Sequence, residues 1–207
     1  MVEAQKSRFI SSTTTAILLA AGSGSRFSGA THKLLITLHE KSVFTWSLQH
    51  CLDAQFEKIV VVTGAVDLTA QISEFGNSKS NVVVVQNNNW QNGMASSLQC
   101  ALSEAQRNGA DSVVVGLADQ PAINPTSWRR VASATSPLAV ATYNGVRGNP
   151  VRIHAELWSL LPTTGDEGAR SLFKSHADLL EEVACDGSAQ DIDTSNDIET
   201  LRALLDK

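Results

Sequence analysis

The sequence predicts an α/β fold of the Rossmann-like kind, a three-layer αβα arrangement around a mostly parallel sheet. Short apolar runs alternate with helical patterns along nearly the whole chain, which is typical of a parallel sheet with helices on both faces. Residues 59–63 and 113–117 are apolar and rich in valine, as expected of strands buried on both faces. The chain has 207 residues, 43% of them hydrophobic, which is enough for one sizeable core.

The individual elements follow from this periodicity. The predicted strands are residues 16–21, 59–63, 82–85, 113–117, 138–142 and 180–184. The strand at 82–85 is expected to be buried, and a short extended piece is expected at 34–38. The predicted helices are residues 43–54, 66–75, 94–107, 155–161, 169–175 and 195–205, and a further helix begins at 125. The predicted helix caps are Ser42, Asn124 before Pro125, and Thr194, which Asp197 completes as a capping-box-like pair.

Composition disfavours several function classes. The formal net charge is -5, so no basic face for nucleic acid is expected, although a small anion needs only a local cationic pocket. No apolar run approaches the roughly 18 residues that span a membrane, and residues 1–14 lack the apolar core of a signal peptide. We therefore expect a flexible tail over residues 1–14, a single domain over 15–207, and a cytoplasmic protein without membrane or nucleic-acid partners.

The reactive side chains show no common metal-binding or hydrolase pattern. The cysteines are odd in number and widely spaced, so we expect reduced thiols rather than a disulfide framework or a zinc site; they are Cys51, Cys100 and Cys185. The histidines lack metal-ligand spacing and are expected to be surface or helix residues; they are His32, His39, His50, His154 and His176. The candidate serines lack the His and acid partners of a hydrolase triad.

The first strand leads into a loop that has the composition of a phosphate-binding site. Glycine lets backbone N–H groups come close to an anion, and successive N–H groups in such a turn form a concave anion site. Two cations flank this loop, so we predict a polyphosphate site at the carboxyl end of the first strand. Its members are Gly22, Ser23, Gly24, Ser25, Arg26, Gly29 and Lys33.

Two common phosphate loops do not fit these residues. The Walker A motif fails because Ala30 and Thr31 follow Gly29 where the motif needs other residues. The dinucleotide fingerprint fails because Phe27 stands in place of its third glycine and the next strand ends at Thr63 without an acid. An ordinary strand-to-helix turn stays open as the alternative.

Acidic residues follow two other predicted strands, at the edge where ligands bind in sheets of this kind. Asp119 comes directly after a buried strand, and a carboxylate there suits Mg²⁺, which takes few protein ligands plus substrate phosphates. Asp191 and Asp193 point the same way in an extended chain, so we expect one of them, with Asp193 favoured, to join Asp119. The alternatives are a turn or cap aspartate at 119 and a helix-terminal role for Asp193.

Residues 87–97 are unusually rich in amide side chains. Asn and Gln both donate and accept hydrogen bonds, as the reading of a base edge requires, and Gly93 at a helix start would let the backbone approach a base or ribose. The alternative is an exposed polar loop with a helix cap. A glycine-bounded segment at residues 143–150 is compatible with a simple hairpin turn.

Together these segments resemble the signature of MobA/MocA-type nucleotidyltransferases, and most closely that of the molybdenum cofactor cytidylyltransferases. The resemblance begins with the string Leu19-Ala20-Ala21-Gly22-x-Gly24-x-Arg26-Phe27, followed by Lys33-Leu34-Leu35. It continues in the family's order over about residues 16–204, through segments at 63–65, 90–97, 117–121, 143–150, 165–170 and 191–197. The interval from Arg26 to Lys33 is a residue or two longer than usual, and Asn149 stands where the family usually has His.

The resemblance implies a fold of the nucleotide-diphospho-sugar transferase type and a Mg²⁺-dependent nucleotidyltransferase reaction. The implied activity is transfer of CMP from CTP to the phosphate of molybdopterin or its molybdenum form, with release of pyrophosphate. A molybdoenzyme client is the implied protein partner. A phosphate acceptor carries close to two negative charges near neutral pH and needs no general base.

The resemblance also implies which residues form the site. The implied catalytic residues are Arg26, Lys33 and Asp119, and the implied metal ligands are Asp119 and Asp193. The implied acceptor-binding residues are Arg147, Gly148, Asn149 and Arg170. Guanidinium binds phosphate bidentately, although solvated surface arginines are the alternative. The implied nucleotide-binding residues are Leu19, Ala20, Ala21, Gly22, Ser23, Gly24, Ser25, Arg26, Lys33, Thr63, Gly64, Asn87, Gly93, Met94, Ser96 and Asp119.

Three alternative functions stay open at this point. The string from Leu19 to Gly22 is similar to the cytidylyl branch, whereas guanylyltransferases of the family usually have a second glycine in place of Ala21, so a guanylyltransferase is the first alternative. The second is a nucleotidyltransferase with another phosphorylated acceptor. The third is a nucleotide-binding regulator or cofactor chaperone without turnover, against which the presence of Arg26, Lys33 and Asp119 argues.

Overall fold

The computed structural model describes residues 13–25, 27, 31–76 and 80–205. The strands are β1 (Thr14–Ala20), β2 (Thr37–Leu38), β3 (Lys41–Ser42), β4 (Lys58–Thr63), β5 (Val82–Gln86), β6 (Ser112–Leu117), β7 (Leu138–Tyr143), β8 (Val146–His154) and β9 (Leu180–Ala184). The α-helices are α1 (Val43–Asp53), α2 (Thr69–Ser73), α3 (Met94–Arg107), α4 (Pro125–Ala132), α5 (Arg170–Ser175) and α6 (Ser195–Leu205). None of these helices is both long and apolar enough to span a membrane.

The main sheet has the strand order β5-β4-β1-β6-β8-β7-β9, and β8 runs antiparallel to both of its neighbours. β1 pairs in parallel with β4 and β6, so that Leu19 lies opposite Val62 on one side and Leu117 on the other. The carboxyl ends of these three strands are therefore level. The loops after β1 and β6, which carry Gly22 and Asp119, emerge at the same edge of the sheet.

Two apolar clusters, one on each face of the sheet, form the core, because side chains alternate between the faces along each strand. On one face, Phe44, Trp128 and Leu201 bring α1, α4 and α6 against the sheet. On the other face, Leu98 and Leu172 do the same for α3 and α5. This three-layer α/β arrangement with a mostly parallel sheet confirms the predicted fold class.

Most predicted elements are present close to their predicted bounds, and the predicted helix caps are made. Ser42 Oγ accepts a hydrogen bond from the Thr45 N–H at 3.1 Å, and Asn124 Oδ1 accepts one from the first turn of α4 at 2.8 Å. Before α6, the Thr194 N–H donates to Asp197 Oδ2 at 2.7 Å, which is one half of a capping box. Local side-chain chemistry thus sets where these helices begin.

Three predicted elements differ in extent or kind. The extended piece expected at 34–38 is a 3-10 turn at Lys33–Leu35 followed by β2, and the helix expected at 155–161 is a 3-10 helix. The helix expected at 66–75 is limited to α2. Asp67 Oδ1 accepts a hydrogen bond from the Thr69 N–H at 2.9 Å and so holds the preceding residues in a turn.

The strand at 82–85 is present, but the expectation that it is buried was wrong. Within the described residues β5 pairs with β4 alone and forms one edge of the sheet, and Val84 is 47% exposed. A run of valines is typical of a strand covered on both faces. The position of β5 at the edge of the sheet, which its valine run does not encode, leaves this strand partly uncovered.

β8 has no counterpart among the predicted strands, because its first half is polar and Pro150 cannot donate to a ladder. The pairing of β8 with β7 shifts register between Val140 and Ala141, and this irregularity accommodates the proline. Asn144 and Gly145, with φ of 51° and 80°, form the tight turn between the two strands. The hairpin reading of this segment is therefore correct.

Gly116 in β6 faces the ring of Trp128, and a Cβ at this position would lie 2.6 Å from two ring atoms. Trp128 is only 2% exposed, so the ring cannot move without disturbing the core. We expect Gly116→Ala to lower the free energy of unfolding in urea by about 1–3 kcal/mol, the usual cost of overpacking. The same substitution should cost less in a Trp128→Phe background, which lacks both contacted atoms; an equal cost would contradict this explanation.

Candidate active site

Two adjoining pockets open at the edge where the parallel strands end. The first, the glycine-loop pocket, has a volume of about 520 Å³ and is lined by the loop after β1 and the segment after β6. The second pocket has a volume of about 880 Å³ and is lined by parts of β6, β7, β8 and α5. Leu19, Met94 and Leu117 line both, so the pockets form one continuous site.

Lys33 joins two carboxylates in the glycine-loop pocket. Its Nζ lies 2.6 Å from Asp119 Oδ2 and 3.3 Å from Asp193 Oδ1. The Lys33 and Asp119 side chains are 14% and 17% exposed, so water screens this pair poorly. The lysine and the aspartate expected to serve one nucleotide therefore meet in one pocket, and together with Asp193 they form what we call the ion cluster.

Burial and the neighbouring charges together set the pKa values of Lys33 and Asp119 in the ion cluster. Burial raises the pKa of Asp119 above its ordinary value, although the Lys33 ammonium acts in the opposite direction. Burial by itself lowers the pKa of Lys33, but Asp119 and Asp193 outweigh it, and the pKa is raised overall. Asp191 lies close enough to raise the pKa of Asp119 further. This excess of negative charge in a poorly hydrated place favours the binding of a cation.

Backbone hydrogen bonds fix the segments that supply the ion cluster. The Ala118 N–H donates to Leu19 O at 3.0 Å, which places the carboxylate of the next residue, Asp119, directly beyond β1. The Ile192 N–H donates to Asp119 O at 3.2 Å and ties the last acidic segment to the end of β6. Asp193 donates its N–H to Asp197 Oδ2 at 3.1 Å, so the cap of α6 orients this residue.

Asp191 and Asp193 are placed differently, although both follow β9. Asp193 shares Lys33 with Asp119. Asp191 is exposed and lines both pockets. The geometry therefore puts Asp193 beside Asp119, as favoured from the sequence, and leaves Asp191 at the junction of the two pockets.

The donor set of the ion cluster fits a hard divalent cation that also binds substrate. Among the described residues, no group of three or more His, Cys, Asp or Glu side chains is arranged to hold a metal by itself. Mg²⁺ typically takes one or two carboxylates and completes its shell with water and substrate phosphates. Asp119 and Asp193 offer these carboxylates, for which the cation would compete with Lys33.

The glycine loop packs against the turn that carries Lys33. Gly24 has a φ of +65°, and a Cβ on it would lie 3.2 Å from Lys33 Cγ. The Phe27 N–H donates to Gly24 O at 2.9 Å and closes the turn. Arg26 and Gly29, which the sequence assigns to the phosphate site, lie outside the described residues.

His32 is a half-buried residue that caps the 3-10 turn of Lys33 and also lines this pocket, a position that was not expected from the sequence. The ring lines the glycine-loop pocket; Nε2 lies 3.0 Å from Gly22 O, and Nδ1 accepts a hydrogen bond from the Leu34 N–H at 3.2 Å. Burial holds the pKa of His32 below its ordinary value, which keeps the ring neutral near pH 7. A search for metal-ligand spacing cannot find this residue, because its partners are backbone groups.

Several residues expected to contact a nucleotide base form internal hydrogen bonds instead. Asn87 is 2% exposed, and its Nδ2 donates to Ser96 Oγ and Ser97 Oγ at 2.9 and 3.0 Å. Thr63 Oγ1 donates to Gln86 Oε1 at 2.7 Å. These side chains are thus engaged within the protein, and their contact with a nucleotide stays a prediction. The expected residues that line neither pocket are Thr63, Gly64, Asn87 and Ser96.

The amide-rich segment still contributes to the glycine-loop pocket, through other residues. Those that line it are Trp90, Gln91, Gly93, Met94 and Ser97. Gly64 acts through packing, since a Cβ there would lie 2.6 Å from Ala21 O and 2.9 Å from Trp90 Cβ. The missing side chain lets the chain after β4 lie against the start of the glycine loop and brings Trp90 to the pocket wall.

The loop before α5 binds the start of α3. Gly165 donates its N–H to Asn92 O at 2.8 Å and accepts a hydrogen bond from the first turn of α3 at 2.9 Å. Asp166 Oδ1 accepts a hydrogen bond from the Met94 N–H at 3.1 Å and so satisfies a helix-terminal donor. A Cβ on Gly93 would lie 2.5 Å from Gly165 O. The absence of a side chain at Gly93 thus makes room for this loop.

The expected acceptor residues line the second pocket, but they differ in availability; they are Arg147, Gly148, Asn149 and Arg170. Arg147 is paired with Glu182, whose Oε1 lies 2.7 Å from Nε and 2.6 Å from Nη2, so its charge is compensated. Arg170 lines both pockets, and its guanidinium forms no hydrogen bond or ion pair within the described residues. Arg170 is therefore better placed for an anionic group at the junction.

Gln120 links the acidic segment after β6 to the second pocket and was not singled out from the sequence. It is 7% exposed, its Nε2 donates to Ala189 O at 2.8 Å, and its Oε1 accepts from Asn149 Nδ2 at 2.8 Å. Tyr143 OH donates to Asn149 O at 2.8 Å. The position of Gln120 next to Asp119 was the one sequence feature that could have pointed to it. Its hydrogen-bond partners, however, lie 69 and 29 residues away along the chain.

Gln120→Ala removes both side-chain bonds and leaves Ala189 O and Asn149 Nδ2 without this partner. A buried polar group left unpaired costs about 1–3 kcal/mol, so we expect a loss of that size in the free energy of unfolding measured in urea. Gln49→Ala is the matched control, since Gln49 bonds to Asp53 at the surface and should change stability by less than about 0.5 kcal/mol. Equal losses in both variants would contradict the role given to Gln120.

The chain is similar to known proteins over most of its length. Residues 16–180 match the family described as MobA-like NTP transferase domain. The chain is 27% identical over 202 residues to the purine catabolism protein PucB of Bacillus subtilis (strain 168), an alignment that covers 91% of this chain and 96% of PucB.

Solved structures show the same architecture. Rv0371c from Mycobacterium tuberculosis H37Rv has a TM-score of 0.75 at 25% identity, covering 93% of this chain and 98% of Rv0371c, and a structure of Rv0371c in complex with manganese is also similar. Mth528, a nucleotidyl transferase from Methanothermobacter, shares the fold with a TM-score of 0.73 at 24% identity, covering 94% and 98% of the two chains. Since the family match includes the glycine loop and Asp119 and extends over most of the sequence, this chain belongs to the family with a MobA-like NTP transferase domain.

Proposed function

We propose that this nucleotidyltransferase is a cytoplasmic, Mg²⁺-dependent enzyme that transfers CMP from CTP to the phosphate of a molybdopterin-type acceptor and releases pyrophosphate. The observation that carries the proposal is the ion cluster, in which Lys33 bridges Asp119 and Asp193. It lies in a glycine-lined pocket that continues into a larger one. This arrangement supports a reaction between a metal-bound triphosphate and a second substrate.

The glycine-loop pocket suits a nucleoside triphosphate with its metal. Residues 22–25 line it, and the backbone N–H groups of such a loop can bind phosphate oxygens at close range. Its volume of about 520 Å³ falls within the usual range for small-ligand sites, about 300–1,000 Å³. Asp119 and Asp193 would hold the Mg²⁺, which when bound neutralises phosphate charge.

Lys33 is the residue to which we assign charge neutralisation at the reacting phosphate. Its raised pKa keeps the ammonium protonated at neutral pH. Because it already lies between two carboxylates of the pocket, a small displacement would bring it to a phosphate oxygen. Arg26, which lies outside the described residues, is assigned to the β- and γ-phosphates on the family resemblance alone.

The second pocket suits a phosphorylated ring compound. Its walls include the apolar side chains of Val115, Val140 and Phe173, and Arg170 and Lys174 provide positive charge. A phosphate monoester with close to two negative charges is a nucleophile without help from a general base, so the protein has to align it and neutralise charge. We place this phosphate near Arg170, at the junction of the two pockets.

Separate observations support three parts of the proposal, namely CTP as the nucleotide, a divalent metal and a cytoplasmic location. Ala21, in the string that resembles the cytidylyl branch, lines the glycine-loop pocket. The manganese in a structure of Rv0371c supports a divalent metal in this family. The three cysteines form no disulfide, which fits the reducing cytoplasm.

Lys33→Ala and Asp119→Ala should each lower turnover at least ~10²-fold, as loss of one electrostatic stabiliser of a transition state does. Turnover is measured as pyrophosphate release from CTP and Mg²⁺ with molybdopterin as acceptor. Lys58→Ala and Asp178→Ala, at exposed positions outside both pockets, are controls expected to keep activity. Unchanged turnover in either site variant, with a native circular dichroism spectrum, would reject these roles.

Among the four ribonucleoside triphosphates, CTP with Mg²⁺ should raise the apparent melting temperature most, because a ligand that binds the native state alone stabilises it. The shift should be smaller in Asp119→Ala, which lacks one proposed metal ligand. A larger shift with GTP would instead indicate a guanylyltransferase. Nucleotide binding without pyrophosphate release for any acceptor would indicate a regulator or chaperone.

A further inference from the structure

His32 bridges two parts of the glycine-loop pocket that the proposed reaction uses. On one side of the ring, Nε2 lies 3.0 Å from Gly22 O. On the other side, Nδ1 accepts a hydrogen bond from the Leu34 N–H at 3.2 Å and caps the 3-10 turn that carries Lys33. One side chain therefore connects the glycine loop to the lysine of the ion cluster.

These partners determine the state of the ring. The Leu34 N–H can only donate, so Nδ1 must be unprotonated and the ring proton sits on Nε2, from which it is donated to Gly22 O. The lowered pKa of His32, caused by burial, agrees with a neutral ring. His32 is thus held as a neutral donor and acceptor between two backbone groups.

His32 holds the carbonyl of Gly22 at a place where the loop faces open space. A Cβ at Gly22 would meet no atom within 4 Å. In a planar trans peptide the C=O and the N–H point in opposite directions. By holding Gly22 O, His32 therefore turns the Ser23 N–H away from the ring and fixes the direction in which this donor faces.

The next glycine of the loop lies against the same ring. A Cβ on Gly24 would lie 3.3 Å from His32 Nε2 and 3.2 Å from Lys33 Cγ. The ring of His32 therefore lies against the glycine loop at two positions, Gly22 and Gly24.

We propose that His32 is a positioning residue for a bound triphosphate: its Nε2–H fixes the Gly22 peptide of the glycine loop, and its Nδ1 fixes the turn of Lys33. This inference rests on the proposed function, because it takes a polyphosphate as the ligand of the loop. The two hydrogen bonds have different consequences. The first supports nucleotide binding, and the second supports the placement of Lys33 and therefore the rate.

Two substitutions separate these hydrogen bonds. His32→Asn keeps an acceptor near the position of Nδ1 but is too short to reach Gly22. His32→Gln keeps a donor near the position of Nε2 but leaves the Leu34 N–H without its cap. The probe is inorganic tripolyphosphate with Mg²⁺, which reports on the glycine loop without a base or an acceptor. Binding is measured by calorimetry, the melting temperature is recorded for each variant, and KM and kcat are measured with CTP.

We expect His32→Asn to weaken tripolyphosphate binding about fivefold, as the loss of one hydrogen bond does, and to raise the KM for nucleotide with kcat nearly unchanged. His32→Gln should restore binding to within about twofold of the native protein, less than the effect of one hydrogen bond, and lower kcat instead. His154→Gln is the matched control. His154 pairs with Ser112 at the amino end of β6, the end of the sheet that lies away from the pockets. Neither tripolyphosphate binding nor kcat should therefore change.

Equal weakening by both His32 variants, with a parallel fall in melting temperature, would show a general structural role and overturn the inference. Unchanged binding and kinetics in both variants would also overturn it. Failure of the proposed function has a different signature. A native protein that binds tripolyphosphate but releases no pyrophosphate from any nucleotide would reject the transferase reaction, while the binding arm would still test His32.

Discussion

The ion cluster is the interaction on which the rest of the site depends. Lys33 and Asp193, its first and last members in the sequence, lie 160 residues apart in the chain. A poorly hydrated charge is costly unless it is paired. Among the described residues, the charged groups that line the glycine-loop pocket are Lys33, Arg170, Asp119, Asp166, Asp191 and Asp193. Carboxylates outnumber cations in this described set, and this excess of negative charge favours a bound cation beside a triphosphate. Electrostatics thus support the proposed divalent cation independently of any resemblance.

The topology of the sheet explains why the site consists of two adjoining pockets. The parallel strands β1, β4 and β6 end at one level, which puts the glycine loop and Asp119 side by side. β8 runs the other way, so its beginning, and not its end, lies at the ligand edge. This reversal brings Asn149 within 2.8 Å of Gln120, directly beside Asp119. The second pocket therefore depends on the one antiparallel strand described in the main sheet.

Local patterns were sufficient wherever local forces decide the structure. The caps at Ser42 and Thr194 depend on residues within one turn, and the meeting of Lys33 with Asp119 follows from the alignment of parallel strand ends. The sequence could not show which residues, distant along the chain, become hydrogen-bond partners. Asn87 is predicted to contact a base because its amide both donates and accepts, but the sequence did not show that its Nδ2 donates to Ser96 and Ser97. For His32 and for β8, the deciding partners were backbone groups and a register shift, which leave no mark in residue spacing.

Transfer between two substrates requires that their pockets keep a fixed relation, because small misalignments of reacting groups are costly. The glycine-loop pocket is built on the first half of the sheet, and the second pocket on β7, β8 and α5. The loop before α5 connects them: Gly165 bonds to Asn92, and Asp166 caps α3 at Met94. Arg170 follows this loop directly and lines both pockets. Arg170, whose guanidinium forms no hydrogen bond or ion pair within the described residues, thus lies next to the contacts that link the two pockets, and this position supports the proposed placement of an acceptor phosphate at their junction.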